Sequence, residues 1–461
     1  SEIAKIVRGK LLLSGEDSII SELLMDSRKI SAPSSSLFFA LKGPRRDGHA
    51  FIQEAYKKGV RNFIVSEPTE LAEANMVVVS DVLYALQLLA IHHRNQFKIP
   101  VIGITGSNGK TIVKEWLNQL LEDKYAIVRS PKSYNSQSGV PLSVWQLNDS
   151  AELGIFEAGI SQSGEMDRLQ KIIQPSIGVF TNIGEAHSSG FLNNRQKINE
   201  KLRLFIHADI LIYCKDYPEL NECVASLYQQ LKNNKPFIIF NWSSVTEADL
   251  QILTLSKEDK RTIITASYKG NTLSITIPFT DEASVENAIN CWCVLLCLNI
   301  PDADISKKML SLQPVAMRLE LRDGINNTSI INDSYSADIS SLKIALDFLS
   351  QQQQHAKKTV ILTDFLESGQ SDKELYANIG FLLQQHKIDR LIGIGPAISR
   401  SCLSPAGGST PREAWREGGL ETQFYPSVED FKHQFPHIHF ANETILIKGA
   451  RVFGLEDIDR M

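Results

Sequence analysis

The stretch VIGITGSNGKTIVKEW, which begins at Val101, constrains the fold of this 461-residue chain more than any other. Its first half is a short apolar run that ends in glycine and predicts a buried β-strand. Its second half predicts a helix, because its apolar residues fall on one helical face: Ile112, Trp116, Leu117, Leu120 and Leu121. A strand, a glycine turn and a helix N-terminus together form an anion site, since free backbone N–H groups and the helix dipole favour negative charge.

The glycine loop departs from the commonest phosphate-binding spacing, G-x-x-x-x-G-K-[ST]. Ile104 stands where that pattern has its first glycine, whereas Gly109, Lys110 and Thr111 match its end. In a phosphate loop the lysine reaches the β- and γ-phosphates and the threonine hydroxyl binds Mg²⁺. The alternative is a glycine-rich turn followed by Lys-Thr by chance. The strand before the loop and the helix after it favour the phosphate loop.

Two polar residues that follow later apolar runs are candidates for the metal site that a phosphate loop needs. Glu157 ends the apolar part of ELGIFEAG, the position of the acid that holds Mg²⁺ in other phosphate-loop enzymes. The alternative for Glu157 is a strand-end carboxylate that faces solvent. His187 follows the next run, IGVFTNIG, and a lone histidine is more often structural than a ligand. Two such residues after one phosphate loop favour a shared metal site.

Alternating strand and helix patterns predict an α/β protein with three domains. Residues 1–95 form a small α/β unit, and residues 96–312 form a doubly wound sheet that begins with the phosphate loop. Residues 313–461 form a third, Rossmann-like α/β unit. Between positions 249 and 279 the pattern changes to alternating strands separated by turns, which predicts an antiparallel appendage on the central domain.

The composition, with 43% hydrophobic and 22% charged residues, is that of a soluble globular protein. The net charge of -5 gives no indication of a nucleic-acid partner, and no apolar run predicts a membrane span or a signal peptide. The sparse use of cysteine fits a reducing cytoplasm. Cys291, Cys293 and Cys297 form either a metal or redox site or, as their spacing favours, part of a buried helix.

Six motifs occur in the order found in the Mur ligases, the ATP-dependent amide-bond ligases of peptidoglycan synthesis, and the chain resembles that family over nearly its whole length. The motifs are GITGSNGKT, EAG, TNIGEAH, ENAINCW, PVAMRLE and DSYSAD. The resemblance implies that ATP and Mg²⁺ bind at the loop formed by Thr105, Gly106, Ser107, Asn108, Gly109, Lys110 and Thr111. It also implies that Glu157 and His187 hold a second Mg²⁺, and that the lysine at the position of Lys201 carries CO₂ as a carbamate. Without the resemblance, Lys201 looks like one of many helix-surface lysines.

The resemblance implies further nucleotide contacts outside the loop. Asn287 and Asn290 match family asparagines, the first of them near adenine, and Arg318 matches an arginine that reaches the nucleotide from an inter-domain linker. Asp333 matches the aspartate that meets the ribose or a phosphate, with Tyr335 beside the base. The chain departs from the family pattern D-D-[ST]-Y-N-A-N-P at four places: Asn332, Ser336, Asp338 and Ile339.

The N-terminal block resembles the UDP-binding block of the family members that act late in the pathway. Ser27, Arg28 and the turn Asp47-Gly48-His49 are expected to approach the UDP end of the substrate, and Asn135 matches a substrate-binding asparagine. The resemblance therefore implies ATP-dependent addition of D-alanyl-D-alanine to UDP-N-acetylmuramoyl-tripeptide. Two alternatives remain open, a neighbouring ligase that adds the third amino acid and a degenerate nucleotide-binding module without turnover.

The resemblance also implies a fusion partner, an oligomeric state and a cellular location. The segments DSYSADISSLKIALDFL and TDFLESG resemble a bacterial subgroup in which the ligase is fused to a C-terminal alanine racemase. We expect a cytoplasmic ligase that is monomeric, with no nucleic-acid partner and no membrane span.

Overall fold

The computed structural model describes residues 2–13, 15–43, 46–184, 190–233, 237–365, 370–403, 419–450 and 453–455. Within these ranges the chain forms three β-sheets, each flanked by helices, which confirms the predicted three-part α/β fold. None of the helices in the described ranges has both the length and the apolar character that a bilayer crossing requires.

The N-terminal unit has strands β1 Lys10–Leu13, β2 Glu22–Leu24, β3 Ser36–Phe39, β4 Asn62–Val65 and β5 Asn75–Val78, and helices α1 Glu2–Ile6, α2 Ile52–Lys57 and α3 Val82–Arg94. The strand order is β1-β5-β4-β3-β2, and β1 alone pairs antiparallel with its neighbour. Successive side chains of a strand point to opposite faces. Leu37 and Phe39 accordingly pack with α1 and α3, while Phe38 between them packs with α2.

The central unit has nine strands, β6 Val101–Thr105, β7 Ile127–Arg129, β8 Leu153–Glu157, β9 Ile177–Phe180, β10 Ile210–Cys214, β11 Ile238–Ser243, β12 Leu250–Glu258, β13 Arg261–Tyr268 and β14 Asn271–Ile277. Their order is β14-β13-β12-β11-β10-β9-β6-β8-β7. The seven neighbouring strands β12-β11-β10-β9-β6-β8-β7 are parallel. Strand β13 pairs antiparallel with both β12 and β14. The predicted appendage is therefore confirmed as an antiparallel extension of the same sheet.

The helices of the central unit are α4 Lys110–Leu121, α5 Gly139–Val144, α6 Met166–Ile173, α7 Asn194–Leu202, α8 Pro218–Leu231, α9 Glu282–Cys297 and α10 Asp302–Leu310. Helix α4 buries Trp116, Leu117, Leu120 and Leu121, as its periodicity predicts. Because β6, β8 and β9 are parallel neighbours, their carboxyl ends meet at one edge of the sheet, and the loop before α4 lies at that edge.

The cysteine cluster lies in the apolar interior of the central unit. Cys291 and Cys293 are buried in α9 within the main hydrophobic core, and Cys297 packs against that core. Burial raises the pKa of the Cys291 thiol well above its ordinary value and that of Cys297 to about 12. Thiols with such raised pKa values are poor metal ligands and poor nucleophiles, so these cysteines serve here as small apolar side chains.

The C-terminal unit has strands β15 Glu320–Asp323, β16 Ser329–Asp333, β17 Lys357–Thr363, β18 Arg390–Ile394, β19 Glu421–Tyr425 and β20 Glu443–Lys448, in the order β15-β16-β20-β17-β18-β19. Strand β15 pairs antiparallel with β16, and the other pairs are parallel. The helices are α11 Ile339–Gln351, α12 Asp372–Gln385, α13 Pro396–Leu403 and a last helix Val428–Gln434. The strands of each sheet fall within one of the three predicted blocks, whose boundaries at residues 95 and 312 stay predictions.

Candidate active site

The phosphate loop connects β6 to α4 and is held in place by an asparagine from the neighbouring strand end. The backbone N–H groups of Ser107 and Asn108 donate to the carbonyl oxygen and the side-chain oxygen of Asn182, each at 2.9 Å. No side chain caps the N-terminus of α4, which begins after Gly109. The free N–H groups of its first turn therefore remain available to an anion at the loop.

Two lysines converge on the loop, Lys201, which is fully buried, and Lys110, which is half-buried. The Lys110 ammonium donates to the carbonyl oxygens of Gly106 and Ser107, both at 2.8 Å, and the Lys201 ammonium donates to the Gly106 oxygen at 3.0 Å. Burial lowers the pKa of Lys110 to about 8. Burial, together with the positive charges of Lys110 and Lys197, lowers the pKa of Lys201 well below its ordinary value. Such a concentration of positive charge suits a polyanionic ligand.

Oxygen-bearing side chains lie beside the first turn of α4. The Thr111 hydroxyl donates to Oε2 of Glu157 at 3.1 Å and lies 2.8 Å from the hydroxyl of Ser133. Asn135 contributes an amide N–H to the same carboxylate oxygen at 3.4 Å. Glu157 is fully buried at the end of β8, so the alternative of a carboxylate facing solvent is wrong. Hydroxyl and carboxylate oxygens are the ligands that Mg²⁺ prefers.

The C-terminal unit reaches this cluster through the linker arginine. The Arg318 guanidinium donates to the hydroxyls of Thr111 and Ser133 at 3.4 and 3.3 Å, and to the hydroxyl of Ser336 at 3.3 Å. It lies 4.1 Å from the centre of the Tyr335 ring, in cation–π geometry. A cavity of about 280 Å³ lies between the two units and is lined by Ser107, Asn108, Gly109, Lys110, Thr111, Ile112, Ser133, Asn135, Arg318, Tyr335, Ser336 and Asp338.

Asp338 is one of the places where the chain departs from the family pattern, and it lies at this cavity. Its side chain accepts from the Ser341 backbone N–H at 2.9 Å and caps the N-terminus of α11. Its charge is close enough to Lys110 to raise the pKa of that lysine against the effect of burial. The departure therefore adds a carboxylate to the wall opposite the phosphate loop.

A second cavity, of about 530 Å³, adjoins the first, and Ile112 and Arg318 line both. Its wall includes Trp116 and Phe279, whose rings stack with their centroids 4.9 Å apart. The first cavity is lined almost entirely by polar residues, whereas half of the residues around the second are apolar, an arrangement that suits the phosphates and the base of a nucleotide.

The two predicted asparagines of α9 lie beneath the loop. Asn287 is buried, and its side-chain oxygen is so close to Gly109 that a Cβ at that glycine would stand 2.2 Å from it. Asn290 accepts from the Trp242 indole N–H at 2.9 Å and donates to the Thr181 carbonyl oxygen at 3.5 Å. Asn287 thus supports the loop, and Asn290 is hydrogen-bonded within the core.

Asp333 lies at the end of β16, at the carboxyl edge of the C-terminal sheet. Its carboxylate forms a buried ion pair with Lys448, with 2.6 Å between Oδ2 and the ammonium nitrogen. Lys448 ends β20, the neighbouring strand. The two residues form one charged pair at the edge where parallel α/β sheets bind ligands.

The predicted UDP-binding residues of the N-terminal unit form two local networks. Asp26 accepts from the backbone N–H of Arg28 at 3.0 Å and forms an ion pair with its guanidinium at 2.8 Å, while the neighbouring Ser27 is buried. Asp47 accepts from the backbone and from Nδ1 of His49, at 3.0 and 2.7 Å. Gly48 fits here because a Cβ would stand 2.6 Å from the backbone nitrogen of Leu41.

Comparison with known proteins identifies the family. Residues 19–102 match the model described as Mur ligase family, catalytic domain, and residues 104–295 match the Mur ligase middle domain. A Bacillus subtilis (strain 168) relative, UDP-N-acetylmuramoyl-tripeptide--D-alanyl-D-alanine ligase, is 31% identical over 400 residues, which cover 85% of this chain and 84% of the relative. The chain belongs to the Mur ligase family.

Solved structures agree with this assignment of the Mur ligase fold. MurF from Acinetobacter baumannii has a TM-score of 0.79 at 24% identity, over 99% of this chain and 96% of that one. MurF ligase from Thermotoga maritima, in complex with ADP, has a TM-score of 0.74 at 22% identity, over 95% of this chain and 96% of that one. Both likenesses extend over all three units of this Mur ligase.

Most of the residues predicted for nucleotide binding in this Mur ligase meet at one place. The loop, Glu157, Arg318 and Tyr335 surround or adjoin the 280 Å³ cavity, and Lys201 contacts the back of the loop. His187 lies outside the described residues. Sequence reasoning missed two side chains that hold the site together, Asn182 and Ser133. Asn182 could have been found, because it follows β9 within the quoted motif TNIGEAH.

We expect Gly109→Ala to disrupt the loop, and Gly270→Ala provides a matched control. Both glycines have a left-handed backbone, with φ of +80° and +79°, so both substitutions carry the same backbone strain of about 1–2 kcal/mol. A Cβ at Gly270 meets nothing within 4 Å, whereas one at Gly109 would stand 2.2 Å from Asn287 Oδ1. Gly109→Ala should weaken ADP binding by about tenfold or more, measured by calorimetry, while Gly270→Ala should only lower the melting temperature. Equal ADP affinities in the two variants would contradict the packing of the loop on Asn287.

Proposed function

We propose that this Mur ligase joins D-alanyl-D-alanine to UDP-N-acetylmuramoyl-tripeptide, with cleavage of ATP to ADP and phosphate. The relative from Bacillus subtilis, which is similar over 84% of its length, carries that activity in its name. The observation that carries the proposal is the cavity between the central and C-terminal units, where loop amides, Lys110 and Arg318 face one another. A site divided between two units suits a reaction in which closure excludes water from an activated intermediate.

The residues around the cavity account for the chemistry of such a ligase. The terminal carboxylate of the tripeptide attacks the γ-phosphoryl group of ATP, which gives an acyl phosphate and ADP. The amine of the dipeptide then attacks the acyl carbon, loses a proton and expels phosphate. Lys110, Arg318 and the free N–H groups of α4 would stabilise the charge that develops on the transferred phosphoryl group. The protein forms no covalent bond, so its contribution is positioning and electrostatic stabilisation.

The oxygen-bearing cluster fits Mg²⁺. Thr111 and Glu157 present oxygens 3.1 Å apart at the mouth of the loop, which suits a small, hard cation. Thr111 and Glu157 would hold the ion together with phosphate oxygens, and His187 is a further proposed ligand from the family resemblance. The ion would supply charge neutralisation at the phosphates.

Lys201 is proposed to act as a carbamate. In the described part of the chain it forms no salt bridge, although it is fully buried and lies near two other lysines. Burial of an unpaired cation is costly. Addition of CO₂ to the neutral amine releases a proton and leaves an anion, which Lys110 and Lys197 could then neutralise. The carbamate would be a further oxygen ligand for the divalent cation.

The segment from Ser133 to Asn135 supports a substrate path from the N-terminal unit to the cavity. The Tyr134 hydroxyl accepts from Lys29 of the N-terminal unit at 3.1 Å, while the residues on either side contact Thr111 and Glu157. We propose that the UDP end lies near Ser27, Arg28 and the turn at residues 47–49, and that the peptide passes Asn135. The base of ATP would then occupy the 530 Å³ cavity, whose wall includes Arg318, the residue that contacts the Tyr335 ring.

Phosphate release from ATP tests the proposal. Release is expected only when UDP-N-acetylmuramoyl-tripeptide and D-alanyl-D-alanine are both present, and mass spectrometry should find the tripeptide extended by the dipeptide. Release with UDP-N-acetylmuramoyl-dipeptide and a single amino acid, in place of the tripeptide and D-alanyl-D-alanine, would favour the neighbouring ligase that adds the third amino acid. ADP binding without any phosphate release would favour the degenerate nucleotide-binding module.

Three further expectations rest on the sequence resemblance. They are the fusion to an alanine racemase, the monomeric state of the ligase and its location in the cytoplasm. Mass determination of the ligase in solution addresses the second of these.

A further inference from the structure

Lys114 is a buried lysine on the phosphate-loop helix to which the reaction as described assigns no role. Its side chain is 0% exposed, although lysine is almost never fully buried unless it is paired. It lies four residues after Lys110 and three after Thr111, so it shares their face of α4, one turn deeper in the protein. Its position therefore places an ammonium group behind the proposed Mg²⁺ site.

The Lys114 ammonium joins the acid of the site to a neighbouring segment of chain. It lies 3.0 Å from Oε1 of Glu157 and donates to the carbonyl oxygen of Ser130 at 2.7 Å and to that of Lys132. Glu115, at 3.0 Å, is a second carboxylate partner. Since Ser133 and Asn135 follow directly, Lys114 holds the start of the segment that lines the cavity.

The two carboxylate oxygens of Glu157 have different partners. Oε1 faces Lys114, whereas Oε2 accepts from Thr111 at 3.1 Å and from Asn135 at 3.4 Å, on the side of the cavity. Only Oε2 is therefore presented to a cation beside Thr111. A buried ion pair of this kind is weak evidence for stability, because apolar replacements of both partners are often neutral or stabilising.

We propose that Lys114 is a positioning residue that holds Glu157 with one defined oxygen facing Mg²⁺ and fixes the segment that carries Ser133 and Asn135. This inference rests on the proposed binding of ATP with Mg²⁺. It does not depend on which amine or UDP substrate the enzyme uses, because its test needs only ADP and the metal ion.

The test compares Lys114→Met with Glu115→Gln, which removes the other carboxylate partner of Lys114 and leaves the pair with Glu157 intact. ADP binding is measured by calorimetry over a range of Mg²⁺ concentrations and in EDTA. Outer-shell partners of metal ligands typically change metal affinity about 10- to 100-fold. Lys114→Met should therefore raise the Mg²⁺ concentration for half-maximal enhancement of ADP binding at least tenfold, with ADP affinity in EDTA unchanged within about twofold. Glu115→Gln should leave both quantities within about twofold.

A double variant separates positioning from a merely structural role. If Lys114 acts through Glu157, adding Lys114→Met to Glu157→Gln should shift the Mg²⁺ midpoint little further. Lys114→Arg keeps the charge in a different geometry and should raise the midpoint about threefold; it decides the question if the methionine variant does not fold. A lower melting temperature with an unchanged Mg²⁺ midpoint would overturn the proposal. If Lys114→Met raises the Mg²⁺ midpoint but the unmodified enzyme does not join the dipeptide to the tripeptide, the positioning role stands and the proposed function fails.

Discussion

Replacing Lys110 by methionine is expected to lower kcat for phosphate release by about a thousandfold or more, without loss of the fold. The Lys110 ammonium group donates to the carbonyl oxygens of Gly106 and Ser107 beside the N-terminus of α4. A single pre-organised donor at a transferring group is worth about 100- to 1000-fold, and a cationic one at a phosphoryl group up to about 100,000-fold. Desolvation lowers the pKa of Lys110 to about 8, so its charged form is unfavourable in the apo protein. Methionine has a similar volume and no charge. The apo variant should therefore keep or gain thermal stability.

Lys124→Met is the matched control for this prediction. Lys124 lies three residues beyond the C-terminus of α4, at the opposite end of that helix from the phosphate loop. It is partly exposed and forms an ion pair with Asp304 at 2.8 Å. Its loss should leave phosphate release within about twofold of the unmodified enzyme. Steady-state phosphate release and melting temperature are measured for both variants. If Lys110→Met kept more than a tenth of the original kcat, Lys110 would not be the main neutralising group.

The sequence predicted the architecture wherever apolar periodicity was strong. The strand before the phosphate loop, the helix after it and the antiparallel appendage all occur where the patterns placed them. Strand β15, Glu320–Asp323, was not predicted, because its four residues are mostly exposed and polar and show no alternation. It exists because its backbone pairs with β16 and so forms the edge of the sheet. That pairing depends on tertiary context that a local pattern does not contain.

The sequence predicted the residues that would contact the nucleotide or the metal ion, but not the residues that hold those side chains in place. Lys110, Thr111 and Glu157 stand at strand or helix ends, where parallel α/β sheets bind ligands, so position alone suggested them. Lys114 lies inside α4 among apolar residues, and its partner Glu157 is 43 positions away in the chain, as their numbers show. The departure at Asp338 was visible in the sequence, but its place opposite the phosphate loop follows only from the packing of the C-terminal unit on the central one.

Lys201→Ala is expected to lower phosphate release by about a hundredfold or more, and small carboxylic acids should restore part of it. If the carbamate supplies an oxygen ligand beside Glu157, the alanine variant loses that ligand and leaves a space behind Gly106 where the lysine chain lay. Formate or acetate can enter such a space and supply the missing carboxylate, so the rate should rise with acid concentration and saturate. The measurement is phosphate release over a range of formate concentrations at constant ionic strength and pH.

Lys197→Ala controls for unspecific rescue, because Lys197 lies one turn earlier on α7, is equally buried and donates to the carbonyl oxygen of Gly184. Its alanine variant removes a neighbouring positive charge without removing a carbamate, so formate should not increase its rate. In the unmodified enzyme, removal of CO₂ from the buffer should lower the rate, and bicarbonate should restore it. Failure of formate to rescue Lys201→Ala, together with a rate independent of CO₂, would contradict the carbamate at Lys201.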